Sequence, residues 1–167
     1  MARKLNTKIK RSYGEIILPT EIYDEIKSRN MFICVNKTKR YKQVFVCARE
    51  AGKITYRERL AKLVLGSKDG LHIDHIDRNP LNNAASNLRF CSQKQNSRNR
   101  SKNWKTKLPF KGVIRRKSGW YYAVLRADGI RYSAGKFKTA KLAAKEYDSM
   151  AKIYFKEFAS LNFEENR

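Results

Sequence analysis

The chain has 167 residues, of which 38 are lysine or arginine and 15 are aspartate or glutamate, and its formal net charge is +23. A surplus this large opposes compaction unless a polyanion is the partner, and nucleic acid is the obvious polyanion. The basic residues are spread along the chain, so no single basic tail accounts for the charge. With 41% hydrophobic residues, the length suits one medium domain or two small ones with modest cores.

Targeting segments and cysteine frameworks are not evident in the sequence. No apolar run approaches the roughly 20 residues of a membrane span, and residues 1–11 lack the apolar segment of a signal peptide. We therefore expect a soluble, intracellular protein. The cysteines, Cys34, Cys47 and Cys91, are odd in number and widely spaced, which argues against both a disulfide framework and a structural zinc.

The N-terminal part has the patterns of a scaffold. Residues 1–12 are polar and basic, and they are predicted to be mobile until they meet a partner. The elements predicted after this arm are a strand over residues 14–18, a helix from Pro19, a hairpin of strands 31–36 and 41–47 with a basic tip, and a helix over residues 54–65 that Gly66 ends.

The stretch from Leu71 to Arg100 holds both histidines and the densest group of asparagines. Alternation of apolar and polar residues predicts a short strand over residues 71–75, with Asp74 and His75 on opposite sides. The elements predicted after this strand are a compact loop over residues 77–87, a second strand over residues 88–91, and a helix capped by Ser92 that carries Gln93, Asn96 and Arg100 on one face.

A strand carboxylate, a helix amide and an imidazole can meet in such a unit. Carboxylate and amide oxygens suit a hard divalent cation such as Mg2+, which binds phosphate oxygens. His75 is the natural base to deprotonate a water that attacks phosphorus, because imidazole titrates near neutrality. Metal and base together describe phosphodiester hydrolysis.

Residues 74–83, 86–89 and 95–96 resemble the HNH nucleases, specifically the homing endonucleases of phages and introns. The resemblance implies a ββα-metal fold in which Asp74 and Asn96 bind one Mg2+ or Mn2+ ion, His75 is the general base and Asn87 braces the loop that orients His75. It also implies no small-molecule cofactor. Two neighbouring asparagines, Asn82 and Asn83, could brace the site equally well.

Residues 110–163 predict a second unit in which a three-stranded antiparallel sheet packs on one helix. Strands start at Lys111, Trp120 and Ile130, and the Asp128-Gly129 turn sets the register of the last two. Thr139 is expected to cap the helix, which runs to about Glu157 with its apolar stripe at Ala143, Tyr147, Met150, Ala151, Tyr154 and Phe158.

The opposite face of this sheet mixes aromatic and arginine side chains, which fit the DNA major groove. The unit resembles the APETALA-type (ethylene-response-factor) DNA-binding domain through Gly112-Val113, residues 135–140 and residues 161–163. The resemblance and the pattern of this face give the candidate DNA contacts, which are Arg116, Trp120, Tyr122, Arg126, Arg131 and Ser133, with Arg100 ahead of the unit.

The α+β chain is therefore expected to have a scaffold and nuclease domain over residues 1–96, a basic linker over residues 97–109 and a DNA-reading domain over residues 110–167. The predicted function is a site-selective endonuclease of the homing type that acts on double-stranded DNA, nicks as a monomer or weak dimer, and works in bacterial or phage-infected cytoplasm or in an organelle. The alternatives are a non-catalytic DNA-binding regulator and a basic RNA-binding protein. Neither a membrane nor a structural zinc is expected.

Overall fold

A computed structural model describes residues 5–38, 42–100 and 107–163. Over these residues the chain is a mixed α+β protein, as the sequence predicted, and it has four small antiparallel sheets. It divides into two compact units, residues 1–93 and residues 94–167. Most of the predicted linker, residues 101–106, lies outside the described residues, and the boundaries placed at residues 96 and 109 stay a prediction.

The first unit contains three small sheets, two α-helices and a 3-10 turn (Ala85–Asn87) among its described residues. The strands and α-helices are β1 (Asn6–Arg11), β2 (Gly14–Pro19), α1 (Thr20–Ser28), β3 (Phe32–Lys37), β4 (Lys42–Glu50), β5 (Lys53–Arg59), α2 (Leu60–Leu65), β6 (His72–His75) and β7 (Leu88–Cys91). One sheet pairs β1 with β2, a second has the strand order β3-β4-β5, and a third pairs β6 with β7.

Strand β1 lies where the sequence predicted a mobile arm, so that prediction is wrong for residues 6–11. The strand pairs with β2 along its whole length, and Ile9 stands opposite Ile16. Ile9 also packs against the core of the unit. The strand was not predicted because its one inward-packing residue, Ile9, lies among basic residues. Its backbone hydrogen bonds are also made to a partner strand, which the local sequence does not reveal.

The helix predicted over residues 54–65 is a strand followed by a short helix, so its first half is a correction. Lys53–Arg59 forms β5, which pairs with β4. Ile54, Thr55 and Tyr56 are β-branched or aromatic, which favours a strand once a partner edge is present. Helix α2 starts only at the fully buried Leu60, and Gly66 ends it at φ 82°, as predicted.

One hydrophobic core holds the first unit together and also anchors the loop that follows β6. Leu81 of this loop is buried in the core. Ile17 of β2 donates to the Leu81 carbonyl at 2.9 Å, and the Asn83 amide donates to the Ile17 carbonyl at 2.7 Å. The other buried members are Ile16, Leu18, Ile26, Val44, Val46 and Leu60.

The second unit contains one three-stranded sheet and one long helix among its described residues, and a short helix spans the division between the units. The elements are α3 (Gln93–Asn99), β8 (Val113–Arg115), β9 (Tyr121–Ala127), β10 (Ile130–Phe137), α4 (Ala140–Phe155) and a 3-10 turn (Lys156–Phe158). The strand order in the sheet is β10-β9-β8.

The β9–β10 hairpin has the predicted register. Asp128 and Gly129 have φ values of 49° and 84°, which a two-residue turn of this hand requires. The register pairs Arg126 with Arg131, Leu125 with Tyr132, Val124 with Ser133 and Ala123 with Ala134. Arg126, Arg131 and Ser133 are exposed on the same face.

Helix α4 begins as predicted, with the Thr139 hydroxyl accepting a hydrogen bond from the Leu142 amide at 3.3 Å. Its buried residues include Tyr147, which shares one hydrophobic cluster with Ala123 and Leu125 of β9. The predicted stripe is wrong at Tyr154, which is 36% exposed, because the neighbouring Phe155 turns inward instead.

Candidate active site

Strands β6 and β7, with the loop over residues 76–87 that joins them, form what we call the His75 hairpin. The register places Asp74 opposite Arg89 and His75 opposite Leu88. Because side chains alternate along a strand, Asp74 and His75 point to opposite faces, as the sequence predicted. The hairpin is short, so its long loop determines much of the surroundings of both side chains.

Asp74 is a buried carboxylate held by a cross-strand arginine. Its side chain is 8% exposed, and that of Arg89 is 14% exposed. The Nε and Nη2 groups of Arg89 both donate to Oδ2 of Asp74, at 3.0 and 2.9 Å. The ion pair offsets the cost of burying a charged carboxylate beside β7.

His75 is half-buried and contacts a loop amide. Its Nε2 lies 3.2 Å from Oδ1 of Asn83. Burial lowers the pKa of His75, although the Asn83 hydrogen bond and the nearby Asp77 and Asp74 carboxylates act to raise it. A lowered pKa keeps the imidazole neutral at neutral pH, which is the form that can accept a proton.

Asn87, at the end of the loop, makes hydrogen bonds to residues earlier in the same loop. Its Oδ1 accepts from the Asp77 amide at 3.0 Å, and its Nδ2 donates to Asp77 Oδ1 at 2.9 Å and to the Asn82 carbonyl at 2.7 Å. Asp77 Oδ1 also accepts from the Asn79 amide at 2.8 Å. This network closes the loop, and it fits the bracing role expected for Asn87 without placing Asn87 on the imidazole.

The predicted metal pair is divided between the two units. Asp74 lies in the first unit, whereas Asn96 lies on α3 at the start of the second. Over the described residues, no three histidine, cysteine, aspartate or glutamate side chains group together as metal ligands. A carboxylate and an amide oxygen are nevertheless donors of the type that hard divalent ions prefer. The Asp74 carboxylate and the Asn96 amide each carry a donor of this type.

Four of the predicted DNA contacts of the second unit, Tyr122, Arg126, Arg131 and Ser133, lie on the sheet face opposite the buried Ala123 and Leu125. The Arg116 guanidinium lies 4.3 Å from the centre of the Tyr122 ring. Lys136, which the sequence prediction missed, lies 5.1 Å from the Trp120 ring. Both contacts hold a cation against an aromatic ring on this part of the unit. Arg100, also predicted, is exposed, and its carbonyl accepts from Lys111 Nζ at 2.6 Å.

The sequence prediction of the first unit missed Arg89 as a partner of Asp74 and did not separate Asn83 from Asn82. A basic residue directly across a two-stranded ladder from an aspartate is a signal for the ion pair, once the register is known. No signal in the sequence tells which loop asparagine faces an imidazole. His72, the other histidine, is exposed.

Comparisons with known proteins place this site in a family. Residues 60–98 match an HNH endonuclease family, and this range contains the whole His75 hairpin. The chain is 34% identical over 132 residues to an uncharacterized HNH endonuclease of Acanthamoeba polyphaga mimivirus, an alignment that covers 77% of this chain and 68% of the relative. The chain belongs to the HNH endonuclease family. No solved structure matches it.

The helices of the described residues were compared with the length and hydropathy of a membrane-spanning helix. Among the helices of the described residues, none combines the length and apolar character that crossing a bilayer requires.

Proposed function

We propose that this chain is a divalent-metal-dependent DNA endonuclease of the homing type, with His75 as general base and Asp74 and Asn96 as ligands of a single Mg2+ or Mn2+ ion. The observation that carries the proposal is the half-buried imidazole of His75, neutral at neutral pH and adjacent in sequence to the buried carboxylate of Asp74. Both residues lie within the part of the chain that matches the HNH endonuclease family.

In the proposed reaction, the His75 imidazole takes a proton from a water molecule as its oxygen attacks phosphorus. The bond from phosphorus to the 3′-oxygen then breaks, which leaves a 5′-phosphate and a 3′-oxyanion, and this oxyanion takes a proton from solvent to become the 3′-hydroxyl. A bound divalent ion would offset the negative charge that develops on the leaving 3′-oxygen. Asn87 keeps the loop of the His75 hairpin closed, so the imidazole is already in place before the reaction begins.

The second unit would select the site at which the nuclease acts. Its sheet presents Arg126, Arg131 and Ser133 beside the ring-stacked Arg116, a combination that can pair with phosphates and read guanine edges. An APETALA-type mode of docking in the major groove is part of this proposal. One active site per chain cuts one strand, so a monomer would leave a nick.

The experiment that tests the nuclease is plasmid cleavage by the full chain in Mg2+ or Mn2+. Supercoiled DNA should become nicked, and chelator should stop the reaction. His75→Ala should abolish cutting and leave DNA binding nearly unchanged. His72→Ala is the matched control, because this exposed histidine lies three positions earlier on the same strand. Cutting that persists in chelator, or that survives His75→Ala, would refute the proposal.

A further inference from the structure

Helix α3 carries Asn96, and from Lys94 onward this helix belongs to the second unit. We propose that Arg98 is a positioning residue that clamps α3 to the β9–β10 turn and to α4, and so makes Asn96 a fixed part of the DNA-reading unit. This inference rests on the proposed function. It goes beyond it by naming the contact through which the DNA-reading unit holds a metal ligand in place.

Arg98 contacts two elements that are far from it in sequence. Its Nη2 donates to Oδ1 of Asp128, in the β9–β10 turn, at 3.0 Å. Its guanidinium carbon lies 5.0 Å from the centre of the ring of Phe155, a buried residue of α4. The side chain of Arg98 is 21% exposed and that of Asp128 is 75% exposed. Because an ion pair this open to water is weak, the packing of Arg98 on the ring supplies part of the clamp.

Lys111 closes the same end of α3. Its Nζ donates to the carbonyls of Arg98 and Arg100, at 2.8 and 2.6 Å. The last carbonyls of a helix have no partner within the helix, and a lysine can satisfy them. The backbone of Lys111 is itself fixed, because its amide donates to Asn162 Oδ1 at 2.6 Å and its carbonyl accepts from Asn162 Nδ2 at 3.1 Å. The helix is therefore capped from a firmly bonded part of the second unit.

The clamp and the metal ligand lie on different sides of α3. Two positions along a helix correspond to a rotation of about 200°, so Arg98 and Asn96 point in nearly opposite directions. Asn96 is half-buried. Arg98 can therefore hold the helix without occupying the amide of Asn96.

The β9–β10 hairpin connects the clamp to the proposed DNA contacts. Asp128 lies in the turn of this hairpin, and Arg126 stands opposite Arg131 close to the same turn. Site selection by the sheet and the placement of Asn96 therefore depend on one hairpin. Removal of the clamp should leave the DNA contacts in place and weaken the binding of the metal.

Hydrogen exchange of the full chain, without metal or DNA, measures the clamp directly. Peptides that cover α3 should exchange faster in Arg98→Ala than in the unaltered chain, because the helix opens more often. Asp128→Asn should give a smaller increase, since asparagine tolerates the φ of 49° at this position. Lys94→Ala is the matched control, because it removes the same charge from an exposed position of the same helix. Equal exchange of α3 in Arg98→Ala and in the unaltered chain would overturn the inference.

Plasmid cleavage at increasing Mg2+ concentration tests the effect on the metal ligand. Arg98→Ala should raise the half-maximal Mg2+ concentration by about 10-fold, with a smaller change in the rate at saturating Mg2+. Arg98→Lys, which keeps a cation, should restore part of the Mg2+ affinity. DNA affinity in chelator should match that of Lys94→Ala, because each variant loses one positive charge. If Arg98→Ala needs no more Mg2+ than Lys94→Ala, the positioning role is refuted.

Two outcomes distinguish this inference from the proposed function. If the unaltered chain cuts DNA and Arg98→Ala cuts equally well at every Mg2+ concentration, the role of Arg98 is refuted and the nuclease stands. If exchange of α3 changes as expected but the unaltered chain does not cut DNA in any divalent metal, the nuclease is refuted and only the clamp on α3 is upheld.

Discussion

Asp74 and His75 are neighbours in sequence, yet their partners are of different kinds. The carboxylate of Asp74 is paired with the guanidinium of Arg89, a charged contact across the ladder. The imidazole of His75 meets the uncharged amide of Asn83. Burial lowers the pKa of the His75 imidazole and outweighs the Asn83 hydrogen bond and the nearby carboxylates, which act to raise it, so His75 remains a base at neutral pH. Two adjacent positions thus provide an anionic oxygen and a neutral base.

The ion pair of the hairpin gives a prediction about stability. Arg89→Leu removes the guanidinium from the buried Asp74 carboxylate, and loss of one partner of such a pair costs about 3–5 kcal/mol. We expect the free energy of unfolding in urea to fall by an amount of that order. Asp74→Leu with Arg89→Leu should lose less than the sum of the two single changes. An Arg89→Leu variant as stable as the unaltered chain would contradict the pair.

At the scale of elements, prediction from sequence succeeded where a local interaction fixes the backbone. The Asp128-Gly129 turn determines its own hairpin register, and Thr139 makes its own cap. The prediction failed at Lys53–Arg59, where pairing with β4 overrides the helical spacing that continues back from Leu60. Likewise, the sequence predicted the asparagine-containing loop that follows His75. Which asparagine amide contacts the imidazole depends on how Leu81 packs into the core, and the local sequence does not determine this.

The sheet of the second unit gives a prediction about recognition. Arg126→Ala or Arg131→Ala should reduce the preference for the cognate site by about 1–3 kcal/mol if these side chains read bases. The measurement is binding to cognate and scrambled duplexes of equal length. Lys145→Ala is the control, because it removes the same charge from the exposed side of α4. Equal losses on both duplexes would instead identify phosphate contacts.

The pairing of β3 with β4 brings two cysteines together, although the spacing of the cysteines in the sequence argued against a disulfide framework. Their sulfur atoms, Sγ of Cys34 and Sγ of Cys47, lie 2.8 Å apart. Burial, followed by the Cys34 hydrogen bond, raises the pKa of the Cys47 thiol to about 11, so Cys47 stays protonated and reacts slowly. Cys34 is partly exposed, which makes it the sulfur that an oxidant reaches first.

We therefore predict that oxidised glutathione slowly converts this pair to a disulfide. Cys34 attacks the glutathione disulfide and releases one glutathione thiol, and Cys47 then displaces the second, so two protein thiols are oxidised and one disulfide is reduced. Mass spectrometry after peptide digestion should find Cys34 linked to Cys47. The bridge closes a short loop and should raise the unfolding free energy by about 3 kcal/mol. Cys47→Ser should form no internal bridge, and an unaltered chain that retains both thiols would contradict the prediction.

At the scale of the whole molecule, the main feature of the chain is its positive charge. The net charge of +23 on 167 residues works against a compact chain at low ionic strength and favours a polyanion. Exposed arginines occur in both units, for example Arg57 and Arg59 on β5 and Arg126 on β9. Binding should therefore release counterions along much of the chain and not at one patch alone.

This charge distribution predicts a strong salt dependence of DNA binding. If the chain makes six to ten phosphate contacts, affinity should fall by roughly 10³-fold to 10⁵-fold between 50 and 200 mM salt. Fluorescence anisotropy with a non-cognate duplex measures this slope, and a neutral crowding agent controls for general solution effects. An affinity that varies little over this range would show that few phosphates are contacted.

The fastening of the hairpin loop to Ile17 of β2 limits how the chain can be divided. The segment that matches the HNH family begins at residue 60, yet the strand that anchors its loop lies more than forty residues earlier in the chain. A fragment cut at the family boundary would lack that anchor and part of its core. A transfer of this nuclease domain to another protein, by evolution or by design, must therefore include strands β1 and β2 together with the segment that matches the family.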